Sequence, residues 1–357
     1  MMTALRTTSP GVVELVAVPR PAPGPGDVLI RVLLAGICGT DVEIADGVMT
    51  YFTSGMAAYP VTLGHEWVGE VAGLGACLEH GDSGTGLVIG DRVVGECSVG
   101  CAACSVCGDG AYHRCAQRTE TGILNRDGAL AEFVVLPRRA VHRIGAAVAP
   151  RAAALVEPTA VALNCARLGG VGPGSRVAVV GDGPVGLLML LVAQALGAKG
   201  VVIAGADTAR LALALRLGAS AAIDVGAAGD VAAAIAAACA DGRSPDVVLE
   251  ASGSAAGVEA AVAAAAPGAT VVLAGLCGAG ARRPALDSDR VVVSDLTLRG
   301  ALGSPGRWAE AVALIESGRV DAAALVSHEP PLAEYARAFD LVRSRAGVKV
   351  LLRPRAA

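Results

Sequence analysis

At 357 residues the chain has the length of about two domains of roughly 150 residues each. Its 54% apolar and 17% charged composition excludes a disordered chain, which needs low hydrophobicity and high charge. A net charge of −4 and an isoelectric point near 5.8 argue against a nucleic-acid or anionic-membrane partner.

The N-terminal apolar stretch 12–18 is broken by Glu14 and runs into PRPAPGPGD, so it does not read as a signal peptide. A cytoplasmic, reducing location is the expectation, and the ten cysteines then read as metal ligands or core residues. Residues 27–32 carry a turn signal followed by strand formers, and 66–71 and 91–94 are similar short runs. Short strands between glycine-rich turns predict a β-rich barrel or sandwich over the first 150 residues. Residues 76–89 read as a surface excursion.

From about residue 152 alanine-rich helical stretches alternate with short Val/Ile runs. Strands are expected at 175–180, 200–204, 247–249, 270–274 and 297–299, and helices at 185–196 and 208–217. That alternation predicts a parallel, doubly wound α/β sheet. The tract 231–240 reads as helix because alanine is the best helix former. The longest apolar run, 186–198, contains Gln194 and is too short to span a membrane. After residue 303 a helix at 308–317 and a polar C-terminal region are expected.

Gly181-Asp-Gly-Pro-Val-Gly186 matches G-x-G-x-x-G between an expected strand and helix. Gly181, Gly183 and Gly186, with Pro184 and Val185, then read as a pyrophosphate cradle at a helix N-terminus. The alternative is an ordinary glycine-rich turn. An acidic residue should end the second strand and bind the ribose, but Gly205 stands there. With no carboxylate to repel a 2′-phosphate, and Arg210 near enough to pair with one, the reading leans to NADP over NAD. The alternative is that Asp207 reaches the ribose and Arg210 is a solvated helix residue.

Cys101, Cys104, Cys107 and Cys115 supply four thiolates from one loop, which suits a closed structural zinc site. A redox-active C-x-x-C lacks thioredoxin-like context. Cys97 reads as a bystander or as a substitute for Cys101. A second, dispersed set is Cys38, His65, Glu66 and Glu157, one thiolate, one imidazole and two carboxylates, which can make an open catalytic zinc site. Spacing alone does not establish it, since His65 by itself is more often a structural histidine and Glu66 a surface charge.

The motifs CGTD, GHEW, GDRV, the four-cysteine loop, RDGALAEF, VEPTAVALN, GDGPVG and EASG occur in this order along nearly the whole chain. Together they resemble the zinc-dependent medium-chain dehydrogenase/reductase family, in its polyol (sorbitol) and threonine dehydrogenase-like branch. The resemblance implies a GroES-like β-rich catalytic domain over 1–155 and 300–357, and a Rossmann domain over 156–299, with the active site in the cleft between them. It implies two zinc ions per chain, one held by Cys38, His65 and Glu66, with Glu157 as fourth ligand or water holder. Asp41 would orient His65 from behind, and Thr40 would carry the alcohol proton towards solvent. The family often has a histidine three residues after Thr40; this chain has Glu43.

The expected activity is hydride transfer between NAD(P) and a secondary alcohol or ketone of a polyol, cyclitol or amino alcohol. A site with one thiolate is a harder metal centre and suits oxygen-rich substrates. Some motifs also look like aminocyclitol dehydrogenases of antibiotic pathways, which makes a deoxy-inosamine-like substrate the alternative. Tyr51 and Phe52 either line the substrate cleft or lie on a surface loop, and Trp308 and the RDG motif are pocket-shaping candidates. His80, His113 and His142 receive no role. The rival of another class is a non-catalytic nucleotide-binding protein on the same fold. A zinc-free quinone or enoyl reductase is the third reading, opposed by the intact ligand set. A homodimer or homotetramer is expected.

Overall fold

In the computed structural model, which describes residues 1–79, 86–278 and 281–354, the chain opens on an antiparallel hairpin. Strand β1 (Met2–Ser9) pairs with β2 (Val12–Val18), and Gly11 makes the turn at φ +80°. The long apolar strand β3 (Asp27–Ile37) runs directly into helix α1 (Gly39–Ala45). Strands β4 (Glu66–Leu74), β5 (Arg92–Gly95), β6 (Phe133–Pro137) and β7 (Val141–Arg143) follow. After several four-residue helical turns comes a longer helix, α2 (Val156–Leu168), which carries Glu157 in its first turn.

Six strands then alternate with helices: β8 (Arg176–Val180), α3 (Pro184–Ala195), β9 (Gly200–Gly205), α4 (Thr208–Arg216), β10 (Ala221–Asp224), α5 (Val231–Ala238), β11 (Val247–Glu250), α6 (Ala255–Ala264), β12 (Thr270–Leu273) and β13 (Thr297–Gly300). The chain ends with α7 (Trp308–Glu316), β14 (Val326–His328), α8 (Tyr335–Arg343) and β15 (Lys349–Leu352). It divides into two compact units, Met1–Glu157 with Ser304–Ala357, and Pro158–Gly303.

The first unit is built on a seven-stranded sheet of order β7-β5-β4-β3-β15-β14, with β6 also on β3. β3 pairs with β4 along its length, with β6 at Asp27–Arg31 and with β15 at Ala35–Ile37. Its core gathers Leu5, Ile30, Trp67, Leu136 and Val350. The polar C-terminal region expected from the sequence is corrected here: all four residues of β15 are buried, and β15 is an inner strand. Residues 76–79 form a helical turn, Val88 and Ile89 are exposed, and His80 lies outside the described residues.

The second unit is a six-stranded, wholly parallel sheet of order β10-β9-β8-β11-β12-β13. That is the Rossmann order 3-2-1-4-5-6, with the reversal beside the first strand. Val180, Val202, Val248 and Val271 fill one side of its core with Ile235 and Val262 of α5 and α6. No helix among the described residues is long and apolar enough to cross a membrane.

Candidate metal and cofactor sites

Cys38, His65 and Glu66 come together although the cysteine is distant from the other two in sequence. Their ligand atoms lie within 4.8 Å of one another, and His65 and Glu66 are buried. Cys38 is the N-cap of α1 at the end of β3, and His65 immediately precedes β4, so the strand pairing brings the two ends side by side. Asp41 fixes their relation: its Oδ2 accepts from Cys38 N at 2.8 Å and its Oδ1 from Gly64 N at 3.0 Å. The same Oδ1 stands 3.7 Å from His65 Nδ1. The RDG stretch clamps this loop from the other side, with Gly128 N donating to Thr62 O, Ala129 N to Gly64 O and Leu130 N to Leu63 O. A Cβ on Gly128 would lie 2.4 Å from Leu63 O and Gly64 O, so that glycine serves close backbone contact.

Behind Glu66 lies a group the sequence reading missed. Lys349 of β15 forms a buried ion pair with Glu66 and donates to Ile37 O at 3.3 Å. Gly36, opposite Glu66 in the strand register, makes room for the pair, since a Cβ there would lie 2.4 Å from Glu66 Oε2. Burial pushes the carboxyl of Glu157 up to about 7, with Glu66 and Asp41 adding like-charge repulsion against the pull of His65 and Lys349. Burial opposes charge on His65, yet Asp41, Cys38 and Glu157 hold its pKa well above the usual imidazole value. Carboxylates and a thiol thus crowd a buried site, and a divalent cation suits that donor set.

Thr40 Oγ1 lies 3.9 Å from Cys38 Sγ, and Glu43 follows three residues later on α1, half-buried, with its carboxyl pKa raised by burial. Cys97 is a partly buried residue packed against the core of the first unit, and it is not a member of the cluster formed by Cys101, Cys104, Cys107 and Cys115. Tyr51 accepts from Arg118 Nη2 at 3.1 Å, and Arg118 pairs with the buried Glu120 at 2.9 Å. Phe52 packs on Tyr59, and Trp308 stacks on His142.

The second cluster is Cys101, Cys104, Cys107 and Cys115. Cys101 Sγ and Cys107 Sγ are 3.9 Å apart, and Cys104 Sγ and Cys115 Sγ 3.8 Å. Four sulfurs at about 2.3 Å from a tetrahedral zinc stand about 3.8 Å from one another, so this spacing fits the ion. Backbone N–H groups of Ala103 and Cys104 hold the Cys101 thiol down at about 6. Gly100 is needed here, because a Cβ would meet Cys107 Sγ at 2.7 Å.

In the second unit the glycine loop joins β8 to α3, with Gly183 as N-cap and Pro184 in the first turn. Gly181 has φ +122°, and a Cβ on Gly186 would lie 1.9 Å from Gly181 O. A Cβ on Gly183 would meet nothing within 4 Å, so this glycine leaves open space at a helix N-terminus, as a pyrophosphate cradle requires. At the end of β9, Gly205 presents no side chain. Asp207 caps α4, its Oδ1 accepting from Ala209 N and Arg210 N. The alternative of Arg210 as a solvated helix residue is corrected here: its side chain is 8% exposed, and Nε lies 3.8 Å from Asp207 Oδ2.

Two family models match the chain, the alcohol dehydrogenase GroES-like domain over residues 24–146 and zinc-binding dehydrogenase over 184–317. An L-threonine 3-dehydrogenase of Photobacterium profundum is 32% identical over 337 residues, 94% of each chain. A sorbitol dehydrogenase of Halalkalibacterium halodurans is 32% identical over 362 residues, again 94% of each. Among solved structures, a protein described as a zinc-binding dehydrogenase, from Sinorhizobium meliloti and bound to NADP, superposes with TM-score 0.90 at 31% identity, covering 99% of both chains.

Proposed function

The chain belongs to the zinc-dependent medium-chain dehydrogenase/reductase family, in its polyol (sorbitol)- and threonine-dehydrogenase-like branch, and from that premise we propose that it interconverts a secondary alcohol and ketone of a polyol, cyclitol or amino alcohol, with NADP as cofactor. The observation that carries this reading is the convergence of partly buried Cys38 with buried His65 and Glu66, and buried Glu157 beside them. These residues would hold one zinc, and Cys101, Cys104, Cys107 and Cys115 a second. When bound, the catalytic zinc supplies a Lewis acid at the substrate oxygen, and the nicotinamide exchanges the hydride.

The chain's own groups do the rest. Asp41 keeps His65 and Cys38 in register, and Lys349 holds Glu66. Thr40 takes the hydroxyl proton and passes it along α1 towards Glu43, which stands where a histidine relay often does. To the hydrogen-bonded network of Tyr51, Arg118 and Glu120 we assign recognition of a substrate with several polar groups. NADP is supported by Gly205, by the engagement of Asp207 in capping α4, and by the NADP-bound relative.

A homodimer is the proposed assembly. β13 is an edge strand, and Val292, Val293 and Leu302 beside it in sequence are exposed, a surface that a second copy would cover.

The test is a steady-state assay of zinc-loaded protein on polyols, cyclitols, an aminocyclitol and L-threonine with each cofactor. Turnover of a member of this panel, with kcat/KM at least about tenfold higher for NADP+ than for NAD+, is expected. No turnover across the panel overturns the substrate class, and a preference for NAD+ overturns the cofactor reading.

A further inference from the structure

We propose that Asp182 is a positioning residue for cofactor choice: its buried carboxylate fills the place beside the end of β9 where an acidic side chain would stand, and so imposes glycine at 205. The proposal rests on reading the glycine loop as the NADP site. Asp182 is the second residue of that loop and is 2% exposed. Its Oδ2 accepts from Ala206 N at 2.8 Å and Asp207 N at 2.7 Å, the two N–H groups that lead from β9 into α4. A Cβ on residue 205 would lie 2.4 Å from Asp182 Cβ, 2.4 Å from its Oδ2 and 2.5 Å from its Cγ. The Cβ of Asp182 is fixed to the backbone, so no rotamer of Asp182 relieves the contact.

The turn is therefore organised from the glycine loop and not from the strand end. Asp182 holds residues 206 and 207, and Asp207 in turn caps α4 through Ala209 N and Arg210 N. Both carboxylates are engaged by backbone N–H groups. Asp182 is too covered to touch a ribose, so its effect on the cofactor is indirect. It follows that cofactor choice belongs to the pair 182/205. An acid installed at 205 alone displaces Asp182 and releases the turn.

The experiment compares the wild type, Asp182→Gly, Gly205→Asp and the double variant, by thermal melting and by fluorescence titration with NADPH and NADH. Glycine at 182 is chosen because alanine would keep the clashing Cβ. Gly205→Asp alone is expected to melt at least about 5 °C lower and to bind both cofactors at least about tenfold more weakly, the usual scale of overpacking. The double variant is expected to melt higher than Gly205→Asp and to prefer NADH.

A Gly205→Asp protein with the wild-type melting temperature that prefers NADH as strongly as the double variant overturns the proposal. Should Gly205→Asp not fold, Gly205→Ala is compared in the wild-type and Asp182→Gly backgrounds. A cost only in the wild-type background supports the proposal, and an equal cost in both overturns it. Wild-type protein that binds neither cofactor, or prefers NADH, instead defeats the NADP reading, while the melting comparison still decides the 182/205 contact.

Discussion

Glu157 and Lys349 show what burying several carboxylates together at the proposed metal site costs the metal-free protein. The folded pKa of Glu157, about 7, lies above its ordinary value of 4.5. Between those values the native metal-free chain holds a proton that the unfolded chain has released, so stability falls as pH rises through that window. Glu157→Gln removes the penalty. Metal-free Glu157→Gln protein should melt above metal-free wild type at pH 8, with the gap closing towards pH 5. A gap that does not change with pH contradicts the assignment.

Lys349→Met leaves Glu66 buried without its cation, a loss of roughly 3–5 kcal/mol for a broken buried pair. The variant should melt well below wild type without metal, and added zinc should narrow the difference, because the ion supplies the missing positive charge. Equal melting of the two metal-free proteins would show that the pair does not stabilise the fold. Neither Lys349 nor Asp182 stood out in the sequence. One is a lone lysine beside a short apolar run, the other the variable position of a glycine motif, and only the packing around Gly36 and Gly205 gives them roles.

Among the elements, the alternation of strands and helices in the second unit was legible because most of its parallel strands, such as β8, β9 and β11, are short Val/Ile-rich runs next to alanine-rich helices; β10 (AAID) lacks that signal and was not expected. The first unit was less so. β15 is a four-residue, mostly apolar run, KVLL, too short to announce an inner strand by itself; its place beside β3 comes from long-range pairing with Ala35–Ile37. α1 carries little local signal, being a seven-residue helix with Cys38 at its N-cap in place of the usual Ser, Thr, Asp or Asn.

The four-cysteine loop was the most legible local element, because its spacing has few other uses. Its regular structure is slight: a four-residue helix, Ser105–Gly108, a 3-10 turn, Tyr112–Arg114, and two-residue strand pairing at Ser98–Val99. With so little regular structure of its own, the loop is expected to draw much of its order from a zinc ion held by the four cysteines. Cys104→Ser should make residues 101–115 susceptible to limited proteolysis under conditions where the rest of the chain resists. Resistance equal to that of wild type would mean that the loop holds its shape without the ion.

For the molecule as a whole, the family was legible from motifs in the right order, and the comparisons place the chain in it along nearly its full length. The ligand set is the part that spacing could not establish. Cys38 and His65 are distant in sequence, and only the β3–β4 register and the Asp41 bridge bring them together. The contact of Tyr51 with Arg118 was not legible either, because it joins residues almost 70 positions apart.

The central claim is that the chain carries two zinc sites of different kinds, of which one serves the reaction. Its most direct test is the zinc content of purified protein and of Cys38→Ser protein, measured with activity on the same samples. Two zinc ions per wild-type chain are expected. Cys38→Ser should retain one, with the fold intact and activity lost. A fully active, fully folded wild-type protein that binds only one zinc tightly would contradict the account.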